Sequence, residues 1–214
     1  GEPATTLELL QDADTPRARL LRAKAHQQRG ERDRAVQVLT PLRDRLLAHE
    51  IETAPALTAG AEGLALLARI EGRPAADYHL VMRLLAKAHQ LLDPLYWPAP
   101  LAEAQLLLAK DNRSEAMKAL KAAGRLNPKS SRALFLAGKL AAAQYDFARA
   151  ERIVTELRKI NEHHPLAARV EARVALMQRQ PARARKALKP ALKRWPTQRD
   201  LIALKAAIDG LAYD

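Results

Sequence analysis

Three sets of side chains have types and spacings that invite a chemical reading. The first is the histidines, six in all: His26, His49, His79, His89, His163 and His164. A zinc site needs ligands carried to one face, as His-Glu-x-x-His does on a helix, and that pattern is missing here. Glu162-His163-His164-Pro165 is the densest group, and it reads as a polar loop rather than a metal site. The second set is a basic run, Arg183, Arg185, Lys186, Lys189, Lys193 and Arg194, with Arg179 before it. Such a run can neutralise phosphates of nucleic acid or of an anionic membrane. Aromatic stacking partners are nearly absent, with only Trp195 beside it, and no nucleic-acid motif is present. Nucleic acid is therefore ranked below a protein partner. The third set is the glycines and serines: the eight glycines are scattered, with no phosphate-cradling loop and no Gly-x-Ser-x-Gly turn. The residues point away from catalysis, and no cofactor or metal is expected.

The formal net charge of +12 is uneven: residues 165–198 carry +8, whereas 51–94 and 199–214 each carry −1. A local patch implies a local partner or a solvated face. Apolar residues make up 48% of the chain, yet only eight are aromatic, and alanine and leucine dominate, which suits helices that approach closely. No cysteine is present, so disulfides and thiolate zinc sites are excluded and the compartment stays open. No apolar run reaches the roughly 18 to 20 residues that span a bilayer. The first residues show no signal peptide, one that was removed is compatible with them, and Gly1 reads as a cloning remnant. Tyr213-Asp214 ends mid-pattern, so a piece of a longer protein is expected.

The elements that must position these side chains follow from a period. Pro94, Pro128 and Pro196 are separated by multiples of 34 residues, Ala104, Gly138 and Ala172 recur every 34, and so do Ala116, Ala150 and Ala184. That period, with small residues at fixed offsets, predicts stacked helical hairpins. One continuous array over 1–214 is expected, with hairpins at about 16–50, 53–94, 95–128, 129–164 and 165–196 and a terminal helix at 199–212. Thr15-Pro16 reads as an N-cap followed by proline in the first turn. Ser114 is a plausible cap in the third hairpin, and Ser130 or Ser131 opens the fourth. Turns are expected at Gly30, Gly72-Arg73-Pro74, Asp111 to Ser114, Tyr145-Asp146 and Gln180-Pro181. Pro190 should kink its helix or be tolerated in its last turn. The unit 53–94 is degenerate, with helices from about Ala56 to Ile70 and Tyr78 to Leu92. From Ala35 to Ala116 the chain has 13 residues more than two periods, so longer helices or loops must absorb the excess there.

These columns resemble the tetratricopeptide repeat, over about residues 16–210. Ala23, Ala104, Gly138 and Ala172 match its first small position, and Ala35, Ala116, Ala150 and Ala184 match its alanine. Leu39, Leu120, Val154 and Leu188 match its large apolar position, and Ala123, Leu157 and Ala191 stand at its last small one. The resemblance implies an all-α fold, a right-handed α-solenoid of antiparallel helix hairpins. It also implies a concave groove lined by the first helix of each hairpin. At the lining positions stand Arg17, Leu20 and Lys24, then Leu101 and Gln105, then Arg132, Phe135 and Lys139, then Arg169 and Arg173. The expected groove is apolar with a basic line along it. The asparagines of the family's carboxylate clamp are missing, which argues against chaperone-tail recognition.

The function expected is a non-catalytic protein-interaction scaffold that takes an extended or amphipathic peptide with acidic residues. Leu101 and Phe135 are the expected apolar anchors, Arg132, Lys139, Arg169 and Arg173 the partners of acidic side chains, and Gln105 a further contact. Two alternatives stand beside it: a substrate-recruiting or regulatory part of a larger enzyme such as a bacterial metallopeptidase, and nucleic-acid binding through 183–194. Stacked repeats leave apolar end faces, so a homo-oligomer is compatible with the sequence, though no residue demands one.

Overall fold

The computed structural model describes every residue except Gly1, Pro74, Ala76 and 211–214. The expected turn residue Pro74 and the last apolar position of the terminal helix, Leu211, lie outside the described residues. Among the described residues the chain is all-α, with no strand. It divides into two compact units, Gly1–Leu126 and Asn127–Asp214. The first holds α1 (Pro3–Leu9), α2 (Pro16–Gln28), α3 (Arg32–Leu47), α4 (Ala54–Ile70), α5 (Tyr78–Lys87) with a π-helical turn at Ala88–Leu92, α6 (Pro98–Ala109) and α7 (Arg113–Leu126). The second holds α8 (Ser131–Ala143), α9 (Phe147–Ile160), α10 (Pro165–Met177), α11 (Pro181–Arg194) and α12 (Arg199–Gly210).

Helix starts obey capping chemistry. The hydroxyl of Thr15 accepts from the Ala18 N–H at 3.2 Å, that of Ser130 accepts from Ala133 at 3.3 Å, and the Asp146 carboxylate accepts from Arg149 at 3.1 Å. Each satisfies one of the N–H groups that a helix start leaves unpaired. Pro16, Pro98, Pro165 and Pro181 stand at the first helical position, where a missing N–H costs nothing. The expected cap at Ser114 is corrected: α7 begins at Arg113, two residues earlier than that cap implies, and Asn112 Oδ1 accepts from the Glu115 N–H at 3.3 Å. Helix α11 runs through Pro190 to Arg194.

Within four hairpins the turn is built the same way. Gly30, Asp111, Tyr145 and Arg179 have φ of 78°, 57°, 60° and 56°, the left-handed region. The N–H of the next residue donates to the carbonyl five residues back: Glu31 to His26, Asn112 to Leu107, Asp146 to Ala141 and Gln180 to Ala175, at 2.8 to 3.0 Å. This closing bond satisfies a carbonyl that the helix end leaves unpaired. Three of the four turns place the left-handed residue at 34-residue spacing without using glycine, so each carries the steric cost that Cβ imposes there.

Packing explains the alanine columns. Ala23, Ala35, Ala104, Ala116, Ala150, Ala172 and Ala184 have no exposed surface. A Cβ on Gly138 would lie 3.1 Å from Ile153 Cγ2 and from both methyls of Val170. Larger side chains in these columns would force the helices apart, at a cost of about 1–3 kcal/mol each. Behind them Leu39, Leu157, Leu188 and Leu201 are fully buried. Stacking runs first helix to first helix: α2 packs on α4 and α4 on α6 in one unit, and α8 packs on α10 and α10 on α12 in the other.

The degenerate hairpin takes up part of its excess in α4 and part in the seven-residue connection from α4 to α5, where each other hairpin has three. Helix α4 has 17 residues against 12 or 13 in α2, α6, α8 and α10. After Lys87 the expected helix continues not as α but as the π turn, where Asp93 N–H donates to the Ala88 carbonyl at 3.0 Å. Gly60 and Gly63 let α4 close on α3, since a Cβ would sit 2.9 Å from Leu46 Cδ2 or 2.7 Å from Leu42 Cδ2. The exposed Arg179 makes the turn cost measurable. Arg179→Gly should raise stability by about 0.5–1 kcal/mol, after the greater freedom of glycine in the unfolded chain is set against the relieved strain. Thermal melts read this as a higher Tm, and an unchanged or lower Tm would mean the turn carries no such strain.

Candidate functional site

The second unit gathers the basic residues expected on the first helices. On α8, Arg132, Phe135 and Lys139 are spaced i, i+3, i+7, and on α10 Arg169 and Arg173 are spaced i, i+4, so each set shares one helix face. Phe135 and Arg169 stand 34 residues apart, as do Lys139 and Arg173. Stacking of equivalent helices makes such residues lateral neighbours. The Arg169 guanidinium lies 4.4 Å from the centre of the Phe135 ring and that of Arg132 lies 5.8 Å away, both within cation–π reach. Across from them, Arg169 Nη1 pairs with Asp200 of α12 at 3.0 Å.

The electrostatics follow from this crowding. Burial, and then Arg173, Arg169 and Arg132, push the Lys139 ammonium below the usual lysine range. Arg169 is likewise held below its ordinary value by burial and by Arg132 and Arg173, with Asp200 opposing. Arg132 and Arg173 therefore act on both Lys139 and Arg169, and Asp200 acts on both in the opposite sense. An incoming carboxylate would meet several charged donors here, of which Arg169 is the most buried.

The expected anchors need correction. Leu101 and Phe135 each keep only 7% of their surface, so neither projects as an apolar anchor. Phe135 is instead the platform under two guanidinium groups. Gln105 stands in the first unit and lines a cavity of about 380 Å³ with Lys24, Glu62, Tyr78, Val81 and Leu106. The basic line is also interrupted there: Glu62 pairs with Lys24 at 2.8 Å and with Arg17 at 3.8 Å. Glu62 was missed because it sits on α4, whose register the degenerate hairpin hides. Asp200 could have been found by running the period once more, since it lies 34 residues after Leu166 and 68 after Arg132.

The basic run on α11 is partly neutralised. Arg183 pairs with Glu151 at 2.7 Å and also donates to Gln178, and Arg185 pairs with Asp209 at 3.2 Å. Asp209 is held below its ordinary value by hydrogen bonds from Lys205 and Arg185. Arg194 lies 5.6 Å from the Trp195 ring, while Lys186, Lys189 and Lys193 are exposed.

Three of the histidines take structural places. His26 Nδ1 lies 2.6 Å from Glu31, His89 Nε2 is 3.4 Å from Glu103, and His164 Nδ1 accepts from the Leu166 N–H at the start of α10. Burial pushes the His164 pKa down, in keeping with a lone pair used as acceptor. Among the described residues no three His, Asp or Glu side chains form a group that could hold a metal. Among them, too, no helix is long and apolar enough to cross a membrane.

With the geometry in place, the chain can be set beside known proteins. No family's sequence model matches it, and no curated protein sequence does. Solved structures do. A tetratricopeptide repeat protein from Parabacteroides merdae is similar over 99% of this chain and 73% of its own, at 14% identity and a TM-score of 0.61. YrrB, a tetratricopeptide repeat protein with an unusual peptide-binding site, is similar over 96% of this chain and 98% of its own, at 14% identity and a TM-score of 0.53. The MamA RS-1 ArsTM double mutant is similar over 96% and 97%, at 15% identity and a TM-score of 0.52. The architecture is thus that of an all-α helical repeat protein. More narrowly, the repeat is tetratricopeptide-like.

The Lys139 environment has a thermodynamic consequence. A lysine whose folded pKa lies below its unfolded value binds its proton less tightly when folded, so its charge opposes folding at neutral pH. That opposition fades as pH rises from the lowered value toward the ordinary 10.5. Lys139→Gln should therefore stabilise the protein near pH 7, by about 0.5 kcal/mol or less because the side chain is largely solvated. The advantage should shrink toward pH 10, which paired thermal melts at the two pH values would read. A destabilised variant at pH 7 would contradict the like-charge account.

Proposed function

We propose that this chain is a non-catalytic protein-interaction scaffold whose second unit captures an acidic peptide segment. The carrying observation is the cluster of Arg132, Lys139, Arg169 and Arg173 around Phe135, with Asp200 paired to Arg169. Like charges crowded beside an apolar ring oppose folding, so a persistent cluster of this kind is explained most simply by what it binds. Guanidinium groups favour carboxylates through paired N–H donors, and Phe135 fixes the orientation of one of them. The similarity to YrrB, which has a peptide-binding site, supports the same class of partner. In the first unit the cavity beside Gln105, with Leu66, Val81, Leu85 and Leu106 in its lining, offers room for an apolar side chain of a protein ligand.

Duplex nucleic acid is the competing reading, favoured by one observation: Lys186, Lys189 and Lys193 are exposed on α11 and have no acidic partner among the described residues. A single experiment separates the two. Fluorescence anisotropy would follow a labelled peptide of alternating glutamate and leucine, blocked at both termini, and a labelled DNA duplex. Arg132→Glu, Lys139→Glu and Arg173→Glu together should weaken the peptide by at least about tenfold while leaving duplex binding unaltered. Peptide binding that survives the triple change would remove the site. Duplex binding lost only with Lys186→Glu, Lys189→Glu and Lys193→Glu, with no peptide bound by the parent chain, would move the function to α11.

A further inference from the structure

The cationic cluster already holds one carboxylate, and that carboxylate belongs to the chain. Asp200 is 61% exposed while its partner Arg169 is only 18% exposed and sits against Phe135. The guanidinium is thus the fixed half of the pair, and the carboxylate is the half with solvent around it. Asp200 also has somewhere else to go: it stands in the first turn of α12, where the unpaired N–H groups and the helix dipole favour a negative charge. Letting go of Arg169 therefore leaves it stabilised. Helix α12 does not depend on the ion pair for its seat, because Leu201 and Ile208 are fully buried against the α10–α11 hairpin. The repeat register puts Asp200 at the position that Leu166 and Arg132 hold one and two units earlier, so it lies on the face the cluster occupies.

We propose that Asp200 is a built-in competitor for this site: in the free chain its carboxylate takes the place on Arg169 that a ligand carboxylate takes in the complex. The inference rests on the acidic-peptide reading of the same cluster. An incoming acidic residue must displace Asp200, and α12 thereby sets how acidic a segment must be to bind. Segments with several adjacent carboxylates win the exchange, and those with an isolated one do not.

The test uses the full chain and the blocked glutamate–leucine peptide. Asp200→Asn and Asp200→Ser each remove the charge while keeping a side chain that suits a helix start, and Asp200→Glu keeps the charge. An exposed ion pair of this kind restrains ligand entry by a factor of a few, so both neutral variants should bind about two- to fivefold more tightly than the parent, with Asp200→Glu near the parent value. A parent chain that binds while the neutral variants bind equally or more weakly would overturn the competitor role and show Asp200 to be a residue that positions Arg169. No binding by the parent or by any Asp200 variant would overturn the acidic-peptide reading itself, and this inference with it.

Discussion

The closeness of helix to helix is the constraint on which the rest depends. Two columns of alanine with no exposed surface, and Gly138 with no room for a Cβ, fix how near each helix comes to the next. That separation sets the stacking of first helix on first helix, and the stacking makes residues one period apart into neighbours. Phe135 meets Arg169, and Lys139 comes within the field of Arg173, for no other reason. A linear repeat in the sequence thus becomes a lateral surface in the fold.

That surface is held against its own electrostatics. Arg132 and Arg173 repel Lys139 and Arg169, and partial burial weakens the hydration of the latter two. Hydrophobic burial elsewhere on the same helices, through Leu140, Val170 and Ala172, supplies the stabilisation that keeps them together. Asp200 offsets part of the repulsion from the neighbouring element. The first unit handles its charges differently, with Glu62 neutralising Arg17 and Lys24, so the two units present different chemistry on related scaffolds.

Much of this was legible in the sequence because packing needs small residues at fixed offsets. The hairpins, most of their caps and the placement of the cations on first helices all follow from the 34-residue columns. The left-handed turns at Asp111, Tyr145 and Arg179 were harder to foresee as such, since only Gly30 and Gly72 advertise that geometry by type. The π turn at Ala88–Leu92 has no composition of its own and arises from an extra residue accommodated in a helix. Leu101 and Phe135 were read as anchors because a face assignment says which way a side chain points but not what covers it. The acids Glu62, Asp209 and Asp200 escaped because counting charge by segment cannot show which neighbouring helix neutralises it.

The central claim is that the face shared by α8 and α10 is where a ligand docks. Backbone amide spectra of the isotope-labelled chain, recorded as unlabelled glutamate–leucine peptide is added, test it most directly. The account predicts saturable shifts concentrated at residues 132–139, 169–173 and 199–201. Saturable shifts confined to residues 183–194, or none at all at peptide concentrations that saturate other acidic-segment binders, would contradict it.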